Sequence, residues 1–256
     1  MIDVSAFVGP YPFRHVAHAT QEWLLAQMDR LGIDEAWVGH LPSFLYRDPG
    51  PGNAALLAAV SSESRLRPVL TVHPGLPGWK AALQSHAGQV PAVRAYPNYW
   101  GIDPAGVEMM SLTAAAASLS CPLLLTVRFE DLRQRHRLDT VSDFPPSAVR
   151  ELARLGEGVR LVVTHADRSF IEEVHYGLTP AESERVLWDV SWIWGPPEEH
   201  LRHLLATLGP ARFVFGTGMP LRIPDSTVAK LDLLELSGAD RRVIEEENAR
   251  SWMRDG

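Results

Sequence analysis

Lysine is nearly missing from this chain: of its 24 basic residues only Lys80 and Lys230 are lysines, and the rest are arginine. A Schiff-base lysine, or a carbamylated lysine bridging two metals, must project from a strand end into a site. Both lysines lie in segments with the periodicity of outer helices, so neither chemistry is expected. Cysteine is scarcer still. Cys121 alone excludes an intrachain disulfide and any thiolate-built zinc site, and it fits a reducing, cytoplasmic setting. Cationic excess is missing too, since 31 acidic residues outweigh the 24 basic ones for a formal net charge of -7. That balance offers no field for a nucleic-acid backbone or an anionic membrane, which leaves a small molecule as the expected partner. The opening MIDVSAFVGP lacks the cationic and apolar regions of a signal peptide. The one long uncharged stretch, Met109 to Val127, is interrupted by Ser111, Thr113, Ser118 and Ser120 and broken by Pro122. It reads as a buried helix followed by a buried strand, not as a membrane span. Also absent are the G-x-G-x-x-G and Walker patterns and the G-x-S-x-G nucleophile elbow.

What is present is alternation. Short runs rich in Val, Ile and Leu recur at Ile2 to Val8, Glu35 to His40, Pro68 to His73, Ala92 to Tyr96, Leu123 to Val127, Arg160 to Thr164, Val186 to Val190 and Arg212 to Phe215. Helical periodicity fills the gaps, for example at Gln21 to Leu31, Trp79 to His86 and Ala105 to Leu119. About eight strand–helix pairs in about 250 residues is the arithmetic of a (β/α)8 TIM barrel. No linker or composition shift divides the chain, so residues 1–256 read as one α/β domain. In such a barrel chemistry sits at the carboxyl ends of the strands. That rim is unusually polar here, with Ser5, His40, His73, Arg94, Arg128, Glu130, His165, Asp167, Asp189 and Thr217. Aromatic residues join it: Tyr11, Phe13, Tyr96, Tyr99, Trp100, Trp192 and Trp194.

Several of these segments carry a resemblance. IDVSAFVG is similar to a first strand of the form IDxHxHxG, and RPVLTVHPGLPGW, VRAYPNYWGID and LVVTHAD follow in order. GPARFVFGTGMP and RRVIEEENARSWM are similar to a GxDRxxFGSDxP strand and its terminal helix. Together they resemble the amidohydrolase-related TIM barrels, the group of metal-dependent hydrolases that also contains aminocarboxymuconate-semialdehyde decarboxylase. The resemblance implies a divalent metal held by two strand-one histidines, a strand-five histidine and a strand-eight aspartate, with a strand-six histidine beside it. In this chain those positions read Ser5, Phe7, Val127 or Arg128, and Gly218, and only His165 stands where the resemblance places a histidine. The inherited metal site is therefore expected to be absent, because a catalytic zinc needs about three protein ligands at fixed geometry. A zinc site rebuilt from His40, His73 and His165 is the remaining metal reading.

Charge recognition and proton transfer are what the residues themselves offer. Arg94 and Arg128, at adjacent strand ends, are candidates to hold a substrate carboxylate through paired hydrogen bonds, or else to pair with nearby acids such as Glu130 and Asp131. His165 is the candidate general acid or base, with Asp189 to orient it or, alternatively, to brace the loop around Trp192. His73, Tyr96, His136 and Trp192 complete the expected substrate pocket, with His136 and Arg133 reaching over the mouth or lying on a solvated surface helix. The glycines of GTGMP offer a backbone nest for a phosphate as a further option. Three functions are compatible: an amidohydrolase-like hydrolase of a small carboxylated molecule, a metal-independent lyase such as a decarboxylase, and a non-catalytic binding barrel. The resemblance is also the reason to expect a homodimer.

Overall fold

The computed structural model describes residues 1–253. Eight parallel strands form the inner wall: β1 (Ile2–Val8), β2 (Glu35–His40), β3 (Leu66–Pro68 continuing as Leu70–Thr71), β4 (Val93–Ala95), β5 (Leu123–Thr126), β6 (Leu161–Thr164), β7 (Val186–Asp189) and β8 (Phe213–Val214). Each pairs in parallel with the next. Pro68 has no N–H to donate, and β3 is interrupted after it, with the Val69 N–H carrying the chain across by bonding Val38 O at 2.8 Å. The wall closes where Val4 N–H donates to Phe215 O and Phe7 N–H to Met219 O, at 3.0 and 2.9 Å. The fold is a (β/α)8 barrel.

Alternation along each strand sorts the side chains. Leu123 and Leu125 face outward into the layer shared with the helices, while Leu124 faces the barrel axis. Val4, Trp37, Val69, Ala92, Leu124, Val162, Leu187 and Val214 fill the lower barrel with one apolar side chain from each strand or its edge. Below them the C-terminal helical segment plugs the barrel, with Ala249 buried, Trp252 and Met253 packed on that layer, and Asn248 donating to Pro210 O and Phe213 O.

The outer helices include α1 (Gln21–Leu31), α2 (Gly50–Val60), α3 (Trp79–His86), α4 (Val107–Ser118), α5 (Pro146–Ala153), α6 (Arg168–His175), α7 (His200–Leu208) and α8 (Asp225–Leu233). The Thr20 side chain caps α1 by accepting from Trp23 N–H, and Gly32 ends it at φ +70°. The uncharged stretch beginning at Met109 is α4 followed by β5, as expected. Among the described residues no helix is long and apolar enough to cross a membrane.

Candidate functional site

At the carboxyl end of the barrel the interior becomes polar. β4 turns Arg94 inward between the outward-facing Val93 and Ala95, and its side chain is fully buried. The guanidinium lies over the Phe7 ring, 4.5 Å from its centroid, and none of its three nitrogens has a hydrogen-bond partner among the described residues. Next to it stands the buried Tyr96, whose hydroxyl is also unpartnered. Burial pushes the Tyr96 phenol up, with Arg94 pulling the other way.

His165, immediately after β6, is fully buried and held at φ +62°, a left-handed conformation that a non-glycine residue adopts at a cost. Two contacts hold it there: its backbone N–H donates to Asp189 Oδ1 at 2.9 Å, and its Nδ1 lies 2.8 Å from Arg128 O. A carbonyl oxygen only accepts, so Nδ1 carries the proton and Nε2 presents a lone pair. Nε2 has no partner among the described residues. Burial lowers the imidazole pKa to about 4, and the charges of Arg222 and Arg94 push the same way against the pull of Asp189. The ring is therefore neutral near pH 7. It is walled by Phe7 at 6.2 Å, Phe129 at 6.3 Å and Trp192 at 5.8 Å between centroids, the last nearly stacked at 29°.

The far face of this wall is cationic. Arg222, in the loop after β8, places its guanidinium 4.5 Å from the Trp192 centroid, and both its Nε and the Trp192 Nε1 are buried without partners. Gly218 makes room for this arrangement. A Cβ there would stand 3.0 Å from His165 Nε2 and 3.2 Å from Arg222 Cδ, and its φ of +69° disfavours any side chain. The base of the site is stitched by hydrogen bonds between the first and last strands. Gly218 N–H donates to Ser5 Oγ at 3.1 Å, while Thr217 donates to Asp3 from its backbone at 3.0 Å and from its hydroxyl at 2.5 Å. Burial raises the Asp3 carboxyl to about 6 despite these donors.

Of the sequence-predicted residues, the structure brings together His165, Arg94, Tyr96 and Trp192, sets Asp189 and Arg128 against His165, and places His73 and His136 elsewhere. Arg128 is already paired, with Nε on Asp143 at 2.7 Å and Nη1 on Asp167 at 2.5 Å, so at the site it supplies the carbonyl that orients His165 and a guanidinium 5.6 Å from the Trp192 centroid. Glu130 and Asp131 instead meet Arg14 and Arg133. Asp189 holds the backbone of His165, not its ring, and its second oxygen accepts from Ser191 Oγ at 2.8 Å. His73 stacks on Trp100 at 4.3 Å and lines a separate cavity of about 400 Å³ beside Asn53 and Trp79. His40 bonds Ser43 at 2.9 Å, so His40, His73 and His165 do not form a common centre. His136 is exposed and stacks on Phe13 at 6.0 Å in a segment of turns instead of the surface helix considered above.

Sequence reasoning missed Arg222, although an arginine four residues beyond the GTG turn was a readable signal. It also set Lys230 aside as an outer-helix residue. Lys230 is on α8, but its Nζ reaches the loop after β7 and donates to Val190 O, Ser191 O and Ile193 O at 2.6, 3.1 and 2.9 Å. The reason is length: four methylenes carry an ammonium across the helix–barrel interface to a polar loop.

No protein-family model matches the chain, and no curated protein does either. Solved structures do. 5-Carboxyvanillate decarboxylase from Sphingomonas paucimobilis is similar over 99% of this chain and 98% of its own, at TM-score 0.76 and 13% identity. A candidate 2-pyrone-4,6-dicarboxylic acid hydrolase from Pseudomonas putida is similar over 98% and 96%, at TM-score 0.70 and 22% identity. An uncharacterised TIM-barrel protein from Bordetella bronchiseptica is similar over 98% and 97%, at TM-score 0.70 and 13% identity. At these identities the likeness is one of fold.

Proposed function

We propose that this chain is a hydrolase of a small carboxylated molecule, an ester or lactone by preference, and that it works without the divalent metal its fold resemblance implies. The single observation that carries this reading is a buried, unpartnered guanidinium, that of Arg94, in the same enclosure as a neutral His165 whose Nε2 lone pair is free. An isolated buried cation is costly, and an anionic ligand is what offsets that cost.

The residues do not fit a divalent cation. The positions matching the family's ligands hold Ser5, whose Oγ accepts from Gly218 N–H, Phe7, whose ring lies under a guanidinium, and Gly218, which has no side chain. Among the described residues no group of three or more His, Cys, Asp or Glu side chains is placed to hold an ion. A permanent cation in the enclosure repels another.

The arrangement suits base-assisted attack by water. A substrate carboxylate paired with Arg94 or Arg222 removes repulsion from His165 and so raises its basicity once the ligand is bound. Nε2 then takes a proton from water as its oxygen adds to the scissile carbonyl. The remaining guanidinium charge stabilises the oxyanion, and the imidazolium returns the proton to the departing oxygen as the carbon–oxygen bond breaks. The apolar wall of Phe7, Phe129 and Trp192 favours a second reading, loss of carbon dioxide from an aromatic acid, since a dry surround destabilises a carboxylate.

The test is turnover of 2-pyrone-4,6-dicarboxylate and of carboxylated phenols in water labelled with oxygen-18. We expect label in the product, no carbon dioxide, a rate unchanged by dialysis against chelator, and a loss of about 10²- to 10⁴-fold in kcat for His165→Gln. Carbon dioxide without label selects the second reading. Tight binding with no product identifies a non-catalytic barrel, and undiminished turnover in His165→Gln removes the assigned role. We further propose a cytoplasmic location, which the single cysteine, Cys121, supports.

A further inference from the structure

Lys230 is an unusual presence. The chain uses arginine almost everywhere, yet here a lysine brings its Nζ to the carbonyls of Val190, Ser191 and Ile193, at 2.6, 3.1 and 2.9 Å, where burial pushes its pKa down to about 7 and the three acceptors favour the ammonium. These acceptors belong to the residues on either side of Trp192. A tetrahedral ammonium matches three converging carbonyls, which a planar guanidinium does not. The stem is seated as well: a Cβ on Gly195 would lie 2.7 Å from Lys230 Cγ, so the loop has been left without a side chain where the lysine passes. The indole thus fixed lies against the His165 ring, at 5.8 Å, and the guanidiniums of Arg222, at 4.5 Å, and Arg128, at 5.6 Å.

We propose that Lys230 is a positioning residue: by tying down the 190–193 turn from behind, it holds Trp192 in contact with both the base and the outer arginine and aims the indole N–H at the bound anion. This rests on the reading of that enclosure as an anion site, but the clamp itself exists in the free protein. Without it, three carbonyls lose their donor and the turn is free to rotate the indole away. His165 and Arg222 then lose their common partner, and ligand affinity falls while the rest of the barrel stands.

The protein contains eight tryptophans, and incorporation of 5-fluorotryptophan, with Trp192→Phe as the assignment control, gives a resonance for each in the unliganded protein. We expect Lys230→Met to move the Trp192 fluorine signal toward that of a solvent-exposed indole and leave the other seven in place. Lys230→Arg should fail to restore it. If Lys230→Met does not fold, Lys230→Leu, which likewise leaves the three carbonyls without a donor, is read in the same way. An unmoved Trp192 signal in a folded Lys230 variant overturns the proposal. Displacement of all eight signals overturns it too, since the lysine would then serve the fold as a whole. With 2-pyrone-4,6-dicarboxylate as probe, Kd should rise roughly tenfold in Lys230→Met. Failure of wild type to bind that probe counts against the proposed function and leaves the fluorine result standing.

Discussion

The two ends of the barrel interior solve the same packing problem in opposite ways. The lower end is a dry layer of Val4, Trp37, Leu124, Val162, Leu187 and their neighbours, closed below by Ala249 and Trp252. The upper end, a few residues along the same strands, buries Arg94, Tyr96, His165 and Trp192 with polar atoms that have no hydrogen-bond partner among the described residues. Apolar burial and close packing make the first a source of stability. Unsatisfied donors and a desolvated cation make the second a drain on it. The contrast sets the less stable arrangement around His165, where the proposed anion site lies.

The largest effect expected is at the lower end. Leu124→Ala opens a cavity in the layer and should cost about 2–5 kcal/mol in denaturant unfolding, with little change in ligand affinity beyond what stability dictates. A smaller loss than 1 kcal/mol would mean that the layer collapses around the gap and is not the rigid floor described above.

The pH dependence sharpens the comparison, because two buried groups at the upper end pull in opposite directions. His165 has its pKa lowered to about 4, so the fold prefers the neutral ring; its contribution is complete above the ordinary value of 6.5 and is lost as pH falls toward 4. Asp3 is raised to about 6, so the fold prefers the protonated carboxyl; its contribution is complete below 3.8 and is lost as pH rises through 6. Each amounts to about 3 kcal/mol. Between pH 4 and 6 they nearly cancel. Asp3→Asn should uncover the histidine, and urea melts of that variant should show stability rising by about 3 kcal/mol from pH 4 to 6.5. A flat profile would remove His165 from the buried neutral state assigned to it.

Arg94→Met tests whether the upper end gives up stability for binding. Replacing an unpaired buried cation with an apolar side chain of similar length should stabilise the protein by about 1–4 kcal/mol, a rise of several degrees in Tm, and abolish binding of carboxylate ligands. A destabilised Arg94→Met would show that the guanidinium on Phe7 serves packing. The smallest effect is expected from Arg222→Gln. Being only partly buried, it should leave Tm nearly unchanged and weaken an anionic ligand by about 1.5 kcal/mol, roughly tenfold, with a diminished salt dependence.

The barrel was legible because its signals are local. Gln21–Leu31 and Trp79–His86 have the ends their sequence announces, and for the first of these Thr20 and Gly32 supply the caps. Two differences trace to prolines: Pro68, expected to open a strand running to His73, instead ends the segment Leu66–Pro68 before the ladder resumes at Leu70–Thr71, and Pro97 starts a short helix, Pro97–Trp100, that the hydrophobic pattern does not show. The short helix Pro180–Ser183 was also passed over, although the Thr179–Glu182 capping box was there to be read. The site was legible only in part. Arg94 stands out because strand alternation sends it inward at the rim, whereas His165 follows the outward-facing Val163 by two positions and is turned inward only by its φ of +62° past the strand end. Arg128 looked equivalent and is not, since its carboxylate partners Asp143 and Asp167 come from two different loops.

By itself, the sequence determined the parallel α/β barrel and the polar end of its interior, because periodicity and residue type act within a few positions of the chain. Tertiary structure alone decided which cations are spent and which are free, that Arg128 presents a carbonyl to His165, and that Lys230 reaches back to the Trp192 turn. Hydrogen bonds and ion pairs form between groups distant in sequence, and burial sets the protonation of His165 and Asp3. Both depend on which loops the closed barrel brings face to face.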